Sequence, residues 1–135
     1  MYSCILVGLD GSKESWKALD QAIAIGKNFK SKLIVASVIP FASDAPVRKE
    51  FMALRRKFSR ELEKAISMAK KKRVSAKPLL LDGEAGEELL DAAVKNKCDL
   101  IVVGRERSTV YGRLLFGRVS YYVVERAKIP VLVVK

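Results

Sequence analysis

Five short runs rich in apolar, often β-branched residues punctuate the chain: Cys4 to Leu9 (CILVGL), Leu33 to Ile39 (LIVASVI), Ala76 to Leu81 (AKPLLL), Leu100 to Gly104 (LIVVG) and Val131 to Val134 (VLVV). Most are apolar at consecutive rather than alternate positions, the pattern of strands covered on both faces. Between them the period changes. From Lys13 onward Trp16, Leu19, Ala22, Ile23 and Gly26 recur at three- and four-residue spacing, while Lys13, Glu14, Lys17, Asp20 and Lys27 fall on the other side. One apolar stripe on an otherwise charged segment predicts a helix packed on a sheet. The same spacing recurs between Lys49 and Arg73, through Phe51, Leu54, Phe58, Leu62, Ala65 and Ala69, and again from Glu87 to Lys95, with Leu89, Leu90, Ala93 and Val94 as the expected buried face. A last helix is expected from Gly117 through Ala127. Strands alternating with helices predict a mainly parallel five-stranded sheet, doubly wound, with helices on both faces.

Punctuation supports those boundaries. Asp10-Gly11-Ser12 ends the first strand, Pro40 stops the second, and Phe41 to Val47, with Pro46, reads as a mobile connection. Gly83 to Gly86 reads as a turn, and the twelve residues from Arg105 to Phe116 as a loop. The cations Lys70, Lys71, Lys72 and Arg73 close the long helix, where they suit the negative end of its dipole. In a sheet of this kind ligands bind outside the carboxyl ends of the strands. Asp10 and Gly104 stand at two such ends.

At 135 residues the chain predicts a single domain spanning residues 1–135. Its start, Met1-Tyr2-Ser3 leading into an apolar run of about six residues, has neither the basic region nor the cleavage site of a secretory signal, and no apolar stretch is long enough to span a membrane. A cytoplasmic protein is expected. Twenty-six Lys and Arg against fifteen Asp and Glu leave a formal charge of +11, a bias toward phosphate and other anions. With no histidine in the chain, a triad with an imidazole base and an imidazole metal site are both excluded. Cys4 and Cys98 read as small buried hydrophobes. If their strands are parallel neighbours, a bridge between them is the alternative, one that a cytosol supports in a hyperthermophile.

A phosphate-binding crevice needs close backbone approach, free N–H groups at a helix start and a polar residue to fix the rest of the ligand. Gly104, Gly117 and Asp10 are the candidates, around a loop that carries Arg105, Arg107, Ser108, Thr109 and Arg113. The same glycines also suit ordinary turns. Asp10 suits an Asx-turn at the start of the first helix as well as it suits a metal or ligand contact.

ILVGLDGSKES with Ala18, Leu19 and Ala22, then GEAGEELLDAA, DLIVVG and IPVLVVK, together resemble the universal stress protein family in order and spacing along nearly the whole chain. The resemblance implies the adenine nucleotide alpha hydrolase-like fold with sheet order 3-2-1-4-5, and a homodimer paired through the last strand, Val131 to Val134. Such pairing would cover an otherwise exposed apolar edge. Family members that bind ATP resemble one another in a motif of Gly, two residues, Gly, nine residues, Gly and then Ser or Thr. Here Gly104 and Gly117 match its first and third glycines, Arg107 stands at the second, and Arg118 stands at the hydroxyl position. Asp10 matches the aspartate after the first strand, and Val38 approximates the adenine contact at the end of the second. The implied cofactor-binding set is Asp10, Val38, Val103, Gly104, Arg107, Gly117, Arg118, Val119 and Ser120. ATP is the implied cofactor, with Mg2+ if ATP binds.

A cation at position 118 meets the positive end of a helix, which costs roughly 0.3–1 kcal/mol when exposed. Two compensations are open: a bound phosphate held by Arg107 and Arg118, or an internal pair with Glu106 or Glu125. The first reading is therefore a small binding or regulatory protein with an altered adenine-nucleotide or anion site. A slow nucleotide hydrolase is the alternative, with Asp10 carrying a metal and the arginines stabilising charge. A stress protein acting only through protein partners is the other. Nucleic acid ranks last, because Tyr121 and Tyr122 read as packing or dimer residues and no reading motif is present.

Overall fold

In a computed structural model of the chain, the structure describes residues 1–40, 45–105, 109–110, 113–114 and 118–135. The elements are β1 (Cys4–Gly8), α1 (Lys13–Phe29), β2 (Lys32–Ile39), α2 (Ala45–Lys71), β3 (Ala76–Asp82), α3 (Ala85–Lys95), β4 (Leu100–Gly104), β5 (Thr109–Val110), β6 (Arg113–Leu114), α4 (Arg118–Arg126) and β7 (Val131–Val134). The main sheet has the order β3-β2-β1-β4-β7, the expected 3-2-1-4-5 arrangement with β7 as the fifth strand. All its pairings are parallel, with Ile5 opposite both Leu33 and Leu100, Leu33 opposite Ala76, and Ile101 opposite Val131.

Each strand is apolar on both sides because each side is roofed by helices. Ile5, Val7, Leu33, Val35, Leu100 and Val102 pack under α1 and α2, against Leu19, Ala22, Leu62, Ala65 and Ala69. Cys4, Leu6, Ile34, Ala36, Ile101 and Val103 pack under α3 and α4, against Leu89, Ala92, Ala93 and Val123. The central strands are so well covered that Ile5, Leu6, Val7, Leu33, Val35, Ile101 and Val102 are essentially without solvent contact.

Several expectations shift. α2 begins at Ala45, so Pro46 lies in its first turn, where the missing N–H has no helical acceptor to lose; residues 41–44 of the expected connection lie outside those described. α3 begins at Ala85 rather than Glu87, taking Gly86 from the expected turn into the helix. The stretch read as one loop contains a short antiparallel pair, Thr109 opposite Leu114 and Val110 opposite Arg113. Val94, expected in the buried face of α3, is 78% exposed. The buried arc is instead Gly86, Leu89, Ala92 and Ala93: Leu89, Ala92 and Ala93 pack on the strand residues of this core layer, and Gly86 faces the Tyr122 ring of α4.

Candidate functional site

The carboxyl ends of β1, β2 and β4 bring Asp10, Val38 and Gly104 to one edge of the sheet. Asp10 follows β1 in a tight connection to α1. Its Oδ1 accepts a hydrogen bond from the Ser12 N–H at 2.9 Å, an Asx-turn, and its own N–H donates to Ser15 Oγ at 3.3 Å. Gly11 between them has φ +86°, a left-handed conformation that glycine adopts without strain. Ser12 is the N-cap: its Oγ accepts from the Ser15 N–H at 3.2 Å. Ser15 Oγ in turn donates to the Ser12 carbonyl at 2.9 Å. The connection is thus held by short-range hydrogen bonds that fix where the Asp10 carboxylate stands. On the β2 side the buried Ser37 hydroxyl donates to the Leu9 carbonyl at 2.7 Å, tying the loop to the neighbouring strand.

Gly104 ends β4 against the first turn of α1. A Cβ at this position would lie 2.5 Å from the Glu14 carbonyl carbon and 2.7 Å from the Ser15 nitrogen. Glycine is therefore required here by the close passage of a strand end and a helix start. That requirement exists without any ligand. The sequence could not distinguish it from a phosphate approach, because both need the same missing Cβ.

One carboxylate at this edge was not anticipated. Glu61 projects from α2 toward the Asp10-Gly11 connection, and a Cβ on Gly11 would meet its Oε2 at 2.6 Å. Its Oε1 is buried without a hydrogen-bond partner among the described residues. Burial pushes the Glu61 carboxyl above its ordinary range; Lys57 draws it down, Asp10 adds to the rise, and Arg60 and Lys64 oppose it. The sequence carried one signal for this: Glu61 is an acid at the margin of the stripe Phe58, Leu62, Ala65, Ala69, where a helix side chain is only half in water.

The remaining predicted positions divide. Val103 is buried in the core beneath α3 and α4, and Val38 is half-buried at its margin. Ser120 is buried in the first turns of α4, Val119 is half-buried, and Arg118 is exposed at the helix start. Arg107, Gly117, Glu106 and Ser108 lie outside the described residues. Glu125, one internal partner considered for Arg107 or Arg118, pairs with its neighbour Arg126, at 3.8 Å and in solvent. Sequence neighbours on an exposed helix end reach one another more readily than residues two turns apart. Among the described residues, no group of three or more His, Cys, Asp or Glu side chains is placed to hold a metal ion. No helix among them is long and apolar enough to cross a membrane.

Residues 1–135 match the profile of the universal stress protein family. This chain belongs to the universal stress protein family. Universal stress protein MJ0531 of Methanocaldococcus jannaschii is 34% identical, over all of this chain and 83% of the relative. Universal stress protein YxiE of Bacillus subtilis is 29% identical, with both chains covered in full. Among solved structures, UspA from Lactobacillus plantarum superposes with a TM-score of 0.87 over 99% of this chain and 98% of its own, at 22% identity, and so shares the fold. A universal stress protein solved in complex with cAMP is nearer in sequence, 31% identical with a TM-score of 0.79 over 99% and 97% of the two chains. The adenine nucleotide alpha hydrolase-like fold expected from the family resemblance is the fold of this universal stress protein.

Proposed function

We propose that this universal stress protein is a small binding or regulatory protein that takes an adenine nucleotide at the carboxyl edge of its sheet, between the Asp10 connection and the end of β4. The observation that carries the reading is the convergence there of Asp10, Val38 and Gly104, in a chain 31% identical to a family member solved with cAMP. Asp10 supplies a carboxylate of fixed position for ribose or base donors, and Val38 an apolar contact for the base. Arg107 and Arg118 replace a glycine and a hydroxyl of the family's ATP motif, which alters the triphosphate cradle and favours a ligand with a smaller phosphate group. Mg2+ enters this reading only with ATP. The protein acts in it as one cytoplasmic domain.

A homodimer through β7 belongs to the same proposal. β7 pairs with β4 on one side and is the last strand of the sheet order. Val131 to Val134 are half-buried in the single chain, so an apolar strand edge is left for a second copy to cover.

Calorimetric titration of stripped protein with cAMP, AMP and ATP, with and without Mg2+, tests the site. Saturable binding of at least one nucleotide is expected, lost in Asp10→Asn, which keeps the Asx-turn acceptor while removing the charge. Arg118→Ser restores the family hydroxyl at an exposed position, and is expected to strengthen ATP binding by about tenfold, ~1.4 kcal/mol. No binding of any of the three up to millimolar concentration would sink the proposal. Light scattering of the eluting protein tests the dimer, with a monomer at all concentrations as the contrary result.

A further inference from the structure

At the opposite end of the sheet from Asp10, the first rung between β1 and β4 brings the chain's two cysteines together. The Asp99 N–H donates to the Cys4 carbonyl at 2.9 Å, and the Asp99 carboxylate accepts from the Ser3 and Cys4 N–H groups at 3.0 and 3.1 Å. This two-way clasp holds Cys4 beside the residue preceding Asp99. The Cys4 and Cys98 sulfurs lie 2.7 Å apart, within an ångström of the ~2.05 Å of a disulfide bond. Both side chains point into the core layer beneath α3 and α4. Neighbouring backbone already held by three hydrogen bonds, and sulfurs already in contact, are the conditions under which a bridge forms without moving the strands.

We propose that Cys4 and Cys98 are an oxidisable pair that closes to an intramolecular disulfide by exchange with a small-molecule disulfide. A thiolate of one cysteine attacks oxidised glutathione, forming a mixed disulfide and releasing one reduced glutathione. The thiolate of the other then attacks the protein sulfur of that mixed disulfide and releases a second. The protein loses two hydrogens, and one oxidised glutathione becomes two reduced molecules.

Access for the first step is through a groove of about 390 Å³ between α3 and α4, lined by Cys98 together with Val94, Lys97, Ile101, Arg126 and Ile129. Cationic Lys97 and Arg126 at this groove suit an anionic disulfide such as oxidised glutathione. The native fold also slows the reaction. Burial, and then the contact with Cys4, push the Cys98 thiol up, so little of it is thiolate at neutral pH; Lys32 opposes this and Asp99 reinforces it. Oxidation is therefore slow in the folded protein and faster with rising pH or on refolding, and the bridge once formed is correspondingly protected from reductant. The bridge would close a loop spanning most of the chain, the case in which a cross-link most restricts the unfolded state.

The test equilibrates the full-length protein in reduced and oxidised glutathione, during refolding and in the folded state, then traps free thiols in acid denaturant and counts them by mass. Two alkylated cysteines are expected under reductant. Under oxidant none is expected, with loss of two hydrogens, a linked peptide containing Cys4 and Cys98, and no chain-to-chain cross-link. The oxidised form is expected to melt higher by on the order of 10 °C. Cys98→Ala should instead leave Cys4 as a free or glutathione-capped thiol. Two free thiols after refolding under oxidant, capping of both cysteines without a bridge, or a bridged form that melts no higher than the reduced one would each overturn the proposal.

Discussion

Glu61 lies against Gly11: a Cβ at position 11 would stand 2.6 Å from the glutamate Oε2. The contact sets a second carboxylate beside the Asp10 connection, and burial with the Asp10 charge raises the Glu61 pKa above its usual value of 4.5 despite Lys57, Arg60 and Lys64. In the unfolded chain Glu61 loses its proton near 4.5, while in the folded chain it keeps it to higher pH. Between those values the folded state binds more protons, so stability falls as pH rises across that window. Glu61→Gln is expected to remove this part of the pH dependence, making the protein more stable at neutral pH and no more stable well below 4.5. Urea titrations from pH 3 to 8 check it; the same change of stability with pH in both proteins would refute it.

Gly104→Ala is expected to be among the more damaging single methyl additions in this chain. The new carbon would meet backbone atoms of Glu14 and Ser15 at 2.5 and 2.7 Å, and backbone cannot rotate away as a side chain can. Displacing the start of α1 should cost about 2–3 kcal/mol, read as a lower urea midpoint at unchanged slope. Because the clash needs no ligand, the loss should already be present in the protein stripped of nucleotide. A variant as stable as the parent would refute the close passage.

Gly86 in α3 faces the Tyr122 ring of α4, where a Cβ would lie 2.4 Å from Cδ1; the ring is covered on another side by the Arg126 guanidinium at 4.0 Å. Gly86→Ala alone should destabilise by roughly 1–3 kcal/mol through crowding. In a Tyr122→Ala background the crowding is gone, and alanine's advantage over glycine within a helix, about 0.5–1 kcal/mol, should appear instead. A double-mutant cycle measures the reversal of sign, and additive effects would count against this packing.

Ser12→Ala removes the side chain that caps α1 at the Ser15 N–H and should cost about 1 kcal/mol. Ser12→Asp should recover most of it, since aspartate caps equally well and suits the positive end of the helix dipole. Thermal melts of the three proteins decide this; an alanine variant that loses nothing would mean that the Asx-turn at Asp10 suffices by itself.

Strand positions and helix stripes were legible in the sequence because each depends on neighbours within a few residues, and the alternation of strands with helices implied a parallel sheet. CILVGL and LIVVG read as strands covered on both faces, and Lys13 onward reads as a one-sided helix, from local periodicity alone. The family blocks then implied the sheet order that the structure has. What stayed hidden depends on residues far apart in the chain. Gly104 was legible as a glycine someone needed, but only packing shows that Glu14 and Ser15 need it. By its neighbours in the chain Glu61 is one more charge on a basic helix; α2 lays it over Gly11, fifty positions earlier. Val94 has the spacing of a buried residue, yet what lies over α3 decides its buried arc: the core layer covers Leu89, Ala92 and Ala93, the Tyr122 ring of α4 covers Gly86, and Val94 is left in solvent. Apolar patterning therefore determined which segments form the layers; the distances between layers, fixed by tertiary packing, decided which side chains meet at the site and which remain in water.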